Sequence, residues 1–213
     1  MLRDITLFLS QFTENFTTTG AIAPSSPLLG KAITDPLSLR SSCPIQVLEV
    51  GPGTGAFTRQ ITKHLRSGDR LEIYELNPRF CEHLRQNLPW EAFQSKGIHC
   101  RLNNADVRDI GRDLQYDYIV CGLPFNNFEP ELVSEILAVL IDRLAPHGVF
   151  SYFEYNLSHE FKSKFLRSKD RQRMLRVGKI VRSFIEQHQF GCRQVWLNLP
   201  PARARYCQKH ARA

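Results

Sequence analysis

None of the six cysteines (Cys43, Cys81, Cys100, Cys121, Cys192 and Cys207) forms a CxxC pair. That spacing argues against a zinc ribbon or a disulfide framework, so no metal is expected and a reducing compartment fits best. Several of them sit in strand-like runs, where cysteine serves as a small buried hydrophobe. No apolar run approaches the ~20 residues needed to span a bilayer. The start of the chain lacks the basic residues, continuous apolar run and small-residue cleavage site of a secretory signal. There is no internal repeat and no low-complexity tract. These absences argue against a spanning protein and a repeat array, and the expected location is cytoplasmic, peripherally associated with the membrane.

Charge is present but uneven. The 213 residues carry a formal +7, which points to a polyanionic partner. Between Lys162 and Arg182 stand nine bases and one acid, Asp170, a net +8, so the rest of the chain totals −1. Basicity that local reads as a surface device. Apolar residues, among them Phe161, Phe165, Leu175, Val177, Val181 and Phe184, are interleaved with the charges, and a basic amphipathic helix reads as a membrane-surface element.

Periodicity divides the chain. Leu2, Ile5, Phe8, Leu9, Phe12 and Phe16 form one helical face; Gly20, Pro24 and Pro27 then break the helix, and a second short helix is expected over 28–34. From Ile45 strands and helices alternate. Strands are expected at "IQVLEV", "LEIYEL", "IHCRLN", "YDYIVCGL" and "GVFSYFEY", with helices at 57–65, 78–88 and 130–144 between them and a helix over the basic segment after the last. "CRQVWLNL" and "ARARYCQ", joined at Pro200 and Pro201, close the chain as an antiparallel edge hairpin. The pattern predicts an α/β fold of Rossmann-like type: a mostly parallel seven-stranded sheet with helices on both faces.

Gly51, Gly53 and Gly55 end the first strand and precede a helix. Glycine there lets the chain turn sharply and lets a ligand approach the backbone. Glu49 lies inside the strand, where a carboxylate needs a reason. Glu75 ends the second strand, placed to accept from ribose hydroxyls across the crevice of an open sheet. The pattern points to a nucleoside-containing cofactor. The GxGxG spacing differs from the GxGxxG of a dinucleotide site.

With acids at Glu49 and Glu75, this arrangement resembles the first motif of class I S-adenosylmethionine-dependent methyltransferases. The resemblance implies S-adenosylmethionine as cofactor. Its methionine side would lie on Gly51, Gly53 and Gly55 with its amino group at Glu49, its ribose at Glu75 and its adenine near Asp106 of "NNADVRD". "CGLPFNNF" after the fourth strand matches the place where the acceptor amine meets the sulfonium, which adds Gly122, Leu123 and Asn126. Relatives that methylate amines carry a polar residue where this chain has Gly122.

Four stretches, "FLSQFTENFTTTGAIAPSSPLLGKAI", "VLEVGPGTGAFTRQI", "YDYIVCGLPFNNF" and "VWLNLPPARARY", together resemble the bacterial phospholipid N-methyltransferases. Those enzymes convert phosphatidylethanolamine towards phosphatidylcholine by up to three methyl transfers. The resemblance implies a helical arm over 1–43, serving as membrane contact or pocket lid, and a methyltransferase domain over 44–213. It implies a phospholipid substrate, but it does not extend over 154–189; the contacts with an anionic membrane surface, through the basic segment 162–182 and helix 2–16, are expected from the residues themselves. Each base near such a leaflet is worth about 1 kcal/mol.

A lipid ammonium has a lysine-like pKa near ~10 and must lose its proton before it attacks. Tyr155, Glu154 and His159 follow the fifth strand, and Tyr155 matches a tyrosine of the resembled enzymes; Tyr155, Glu154 and Asn126 are the candidate catalytic residues. Phe125, Phe128, Tyr152, Tyr155 and Trp196 are candidate aromatic faces for a methylated cation. Two rivals stay open. An adenine N6-methyltransferase of the ribosomal dimethylase type would use the basic segment on phosphates, but it carries a helical C-terminal domain, whereas this sheet is expected to finish near Cys207. A binding protein with a lapsed site would not have kept Glu49, Gly51, Gly53 and Glu75.

Overall fold

A computed structural model describes residues 26–156 and 168–209. Seven strands, β1 (Gln46–Val50), β2 (Arg70–Tyr74), β3 (His99–Asn103), β4 (Tyr116–Cys121), β5 (Leu144–Tyr155), β6 (Gln189–Val195) and β7 (Ala202–Cys207), make one sheet in the order β3-β2-β1-β4-β5-β7-β6. The first five run parallel, and β7 enters antiparallel between β5 and β6. The Rossmann-like sheet expected from the alternation is the one found, with its antiparallel pair at one edge.

Central strands are buried on both faces, as a covered parallel sheet requires. In β1 every residue after Gln46 is buried. One face packs Val47, Leu71, Ile73 and Phe153 with Phe57 and Ile61. The other packs Leu48, Ile119, Cys121, Phe150 and Tyr152 with the apolar stripe of a helix at Pro130–Arg143. Four helices precede that one: α1 (Pro27–Ile33), α2 (Thr58–Ile61), α3 (Pro78–Asn87) and α4 (Trp90–Ser95); it is α5, and α6 is Ser168–His188. The prolines of α1, α3 and α5 stand in the first turn, where a missing N–H costs nothing. Asn77 caps α3 by accepting from the Arg79 N–H at 2.9 Å.

The structure differs from the sequence reading at four places. The helix expected over 57–65 is only α2, four residues followed by turns. The short α4 was not expected; the Trp90 indole N–H, donating to the Arg85 carbonyl at 3.0 Å, folds it onto the end of α3. The final hairpin turns early, so Trp196–Leu199 leave the strand they were assigned to.

The fourth concerns the chain's start. α1 belongs to the domain core: Leu29, Ala32 and Ile33 are buried, and the Tyr206 hydroxyl donates to the Ala32 carbonyl at 2.7 Å. Behind it a 3-10 turn (Asp35–Leu39) leads to Arg40, whose guanidinium grips the buried Asp69. Helix 2–16, and 157–167 with His159, lie outside the described residues.

Candidate active site

Parallel strands carry the loops that follow them to one edge of the sheet, and the crevice outside their C-terminal ends is where such folds bind ligands. Here that edge gathers Glu49 and the glycine loop after β1, Glu75 after β2, Asp106 after β3, Gly122 and Leu123 after β4, and Tyr155 at the end of β5.

Glu49 is the least comfortable group in the fold. It is fully buried, and neither carboxylate oxygen has a hydrogen-bond partner. Thr58, the first residue of α2, is buried beside it; its hydroxyl and backbone N–H face the carboxyl and partly offset the effect of burial, though neither completes a well-formed hydrogen bond to it. Burial, reinforced by the nearby charge of Glu75, pushes the Glu49 carboxyl up to about 8. An acid kept neutral in a dry site, with both oxygens unclaimed, fits a cationic ligand that would ionise and pair with it.

Glu75 is braced where Glu49 is not. One oxygen accepts from the Gly53 N–H at 3.1 Å and the other from the Asn77 N–H at 2.9 Å. Burial raises its pKa, opposed by these backbone donors. A carboxylate has about four acceptor positions, so two remain for hydroxyl donors. Bonding to Gly53 also fixes the loop's shape.

The loop glycines answer different demands. A Cβ on Gly122 would lie 2.5 Å from the Gly51 carbonyl oxygen, and one on Gly51 would lie 2.5 Å from Leu123 Cδ2. The two loops therefore touch backbone to backbone, joined further by the Gly122 N–H donating to the Val50 carbonyl at 2.8 Å. This explains why the chain has glycine where a polar side chain was expected: no side chain fits. Gly53 is the opposite case. Its φ is +57°, but a Cβ there would meet nothing within 4 Å, so the loop faces open space at that residue. Gly53→Ala is accordingly expected to fold with a loss of about 1 kcal/mol from the positive φ. It should weaken cofactor binding by more than that, read by calorimetry beside a thermal melt; unaltered binding would remove Gly53 from the site.

Other candidates fall less centrally. Both Asp106 oxygens accept from Arg108, which also pairs with Glu135. Burial acts to raise the Asp106 pKa, but those bonds outweigh it and hold it low. Asn126 is half-buried in a 3-10 turn (Phe125–Asn127). Tyr155 is half-buried on the Glu49 face of the sheet, edge-on to Phe153 at 5.1 Å. Glu154 points to the other face and pairs with Arg205. Phe125, Phe128 and Tyr152 are buried, whereas Trp196 is 71% exposed.

The basic helix α6 corrects one expectation. Its apolar stripe faces the sheet: Val177 and Val181 are buried, and Ile180, Phe184 and Ile185 pack beside Phe150 and Tyr152. The sequence pattern called for a covered face, and protein supplies the cover. Two bases are also engaged, Arg173 donating to the Asn127 carbonyl at 3.1 Å and Arg176 pairing with Glu131. Arg171, Lys179 and Arg182 stay exposed. Sequence reasoning missed Thr58, whose hydroxyl type is common after a glycine loop and gave no signal. It also missed Arg173, which reaches Asn127 across 46 residues of chain.

Comparison with known proteins bears on the family and the fold. Residues 47–148 match the family described as a methyltransferase domain. The ornithine lipid N-methyltransferase of Singulisphaera acidiphila is 31% identical over 156 residues, covering 70% of this chain and 77% of that protein. A Clostridium acetobutylicum S-adenosylmethionine-dependent methyltransferase superposes with a TM-score of 0.60 at 12% identity, over 95% of this chain and 99% of that one. The N-methyltransferase NodS of Bradyrhizobium japonicum, solved with S-adenosyl-L-homocysteine, gives 0.56 at 18% identity over 85% and 87%.

Proposed function

Because this chain belongs to the class I S-adenosylmethionine-dependent methyltransferases, as an N-methyltransferase, we propose that it methylates the primary amine of phosphatidylethanolamine, and then its mono- and dimethyl products, towards phosphatidylcholine. The observation that carries the cofactor half is the buried, unpartnered Glu49 carboxylate at the head of an open glycine loop. What supports the lipid half is the relative whose name specifies N-methylation of an ornithine lipid, together with the resemblance of the arm, "GLPFNNF" and "NLPPA" to phospholipid enzymes.

When bound, S-adenosylmethionine supplies a methyl group on a sulfonium, open to in-line displacement by an amine. Glu49 would hold its ammonium, the backbone of Gly51, Gly53 and Gly55 its methionine side, Glu75 its ribose and Asp106 the adenine edge. Displacement of this kind draws its rate mainly from positioning. The rigid contact between Gly51, Gly122 and Leu123 serves that, since it fixes the acceptor loop against the cofactor loop. In this reading Asn126 accepts a hydrogen bond from the entering amine, and Tyr155 orients it by accepting a second at its hydroxyl oxygen. Glu154, neutralised by Arg205, steadies the end of β5 without acting as a free base. Contact is at a membrane face, with exposed Arg171, Lys179 and Arg182 drawn to anionic lipid. Among the described residues no helix is long and apolar enough to cross a bilayer.

The test is a partition assay with methyl-labelled S-adenosylmethionine and, separately, phosphatidylethanolamine vesicles, ornithine-lipid vesicles and ribosomal RNA. Label in the organic phase with phosphatidylethanolamine is the expected result, and chromatography of that phase counts the methyl groups. Label with the ornithine lipid alone would move the acceptor to that amine. Label on RNA alone would make the nucleic-acid rival correct.

A further inference from the structure

The hairpin turn that joins β6 to β7 is exposed and apolar. Trp196, Leu197 and Leu199 are 71%, 80% and 78% exposed. They are held up by design of the turn rather than by lack of structure. Asn198 between them is buried; its side chain accepts from the Ser26 N–H at 3.1 Å and donates to the Pro200 carbonyl at 2.6 Å. Two prolines stiffen the return, and the Asn156 N–H donates to the Pro201 carbonyl at 2.7 Å. Ser26 is also the cap of α1, so the bond to Asn198 brings exposed Leu28 to the same end of the molecule.

The position of this turn matters. Tyr155 at the end of β5 lies opposite Ala202, and Ala202 opposite Val195. Residues 196–201 therefore project from the sheet edge that carries the glycine loop, Gly122 and Tyr155. The basic segment reaches the same edge from the other side of the acceptor loop, where Arg173 holds the Asn127 carbonyl and Arg171 is exposed.

We propose that the 196–199 turn, with Leu28, is the element that inserts into the headgroup region of an anionic lipid bilayer and so sets the acceptor loop at the height of the lipid amine. The inference rests on the lipid reading above. Tryptophan and leucine on a stiff turn suit the interface between water and hydrocarbon. Exposed bases of α6, Arg171 among them, supply the matching charge. A lipid headgroup cannot travel far from its bilayer, so the face that docks has to be the face that holds the site.

In the experiment the chain's other tryptophan, Trp90, is replaced by phenylalanine so that Trp196 alone reports. With vesicles of phosphatidylcholine and phosphatidylglycerol, Trp196 emission should shift to the blue and be quenched by lipids brominated in the acyl chain. Leu197→Ser with Leu199→Ser should weaken vesicle partition about tenfold or more. The same pair should leave S-adenosyl-L-homocysteine binding and activity on detergent-dispersed lipid unchanged. Vesicle binding without any change at Trp196 would overturn the proposal. So would shielding of Trp196 from acrylamide before lipid is added, which would mean that residues 1–25 or a second copy covers the turn. Failure of the substrate reading is seen separately, as no label in any lipid while Trp196 still inserts.

Discussion

Replacing Glu49 with glutamine is expected to make the protein without cofactor more stable above pH 8 and to abolish cofactor binding. Both follow from one fact: the carboxyl is fully buried, unpartnered, and raised from 4.5 to about 8. Between those two pH values the folded chain keeps a proton that the unfolded chain gives up. Stability conferred by this group is thus fully present below pH 4.5 and is lost as pH rises through about 8. At ~1.4 kcal/mol per pKa unit, the rise from 4.5 to about 8 makes the loss on the order of 5 kcal/mol. Glutamine, which never ionises, removes that slope. Chemical denaturation of both proteins at pH 5 and pH 9 checks it; parallel curves would show that Glu49 is ionised and paired in the folded protein.

The binding half has its own signature. A ligand ammonium favours the ionised carboxylate, so binding near neutral pH must expel the Glu49 proton. Affinity for S-adenosylmethionine is expected to climb about tenfold per pH unit up to about pH 8 and then level off. Calorimetry in buffers of different ionisation enthalpy should count one proton released at pH 7. Glu49→Gln should show no binding heat at any pH. A flat affinity profile in the parent protein would mean that the cofactor's charge is met elsewhere.

Glu49 also shows how much the sequence revealed. A carboxylate inside "VLEV" was legible as an anomaly, and its spacing to Gly51 and Glu75 gave the site its outline. The parallel strands were legible too, because a strand buried on both faces must be apolar throughout. What stayed hidden depends on which element covers which. The stripe of Val177, Val181 and Phe184 announces that α6 has a buried side, and the same stripe would serve a membrane or a sheet; only the fold assigns it to Phe150 and Tyr152. The end of β6 was equally hidden. Alternation continues through "VWLNL", but Asn198 is drawn inward by the N–H of Ser26, a residue 172 positions away. Gly122 was read as a departure from the amine-gripping pattern; its cause, the Gly51 carbonyl 2.5 Å from where a Cβ would be, exists only once two loops are folded together.

The same kind of distant pairing gives the largest expected loss of stability. Asp69, just before β2, is fully buried and serves four donors: the Arg40 guanidinium on both oxygens, the Ile45 N–H at 2.9 Å and the Arg66 N–H at 2.6 Å. Ile45 leads into β1, so this carboxylate joins the turn after α1 to the two strands that carry Glu49 and Glu75. Asp69→Ala would strand a buried guanidinium and two backbone N–H groups in an apolar setting. Breaking a buried pair from one side costs about 3–5 kcal/mol, which for a chain of this size lowers Tm by roughly 10 °C. Arg40→Met alone should cost less, since Asp69 keeps its two backbone donors, and adding it to Asp69→Ala should restore part of the loss by removing the stranded charge. Below the melting range all three variants should bind cofactor as the parent does, because Asp69 sits at the opposite end of the strands from the glycine loop. Unchanged melting of Asp69→Ala would mean that water reaches Arg40 and that the pair is no more than a surface contact.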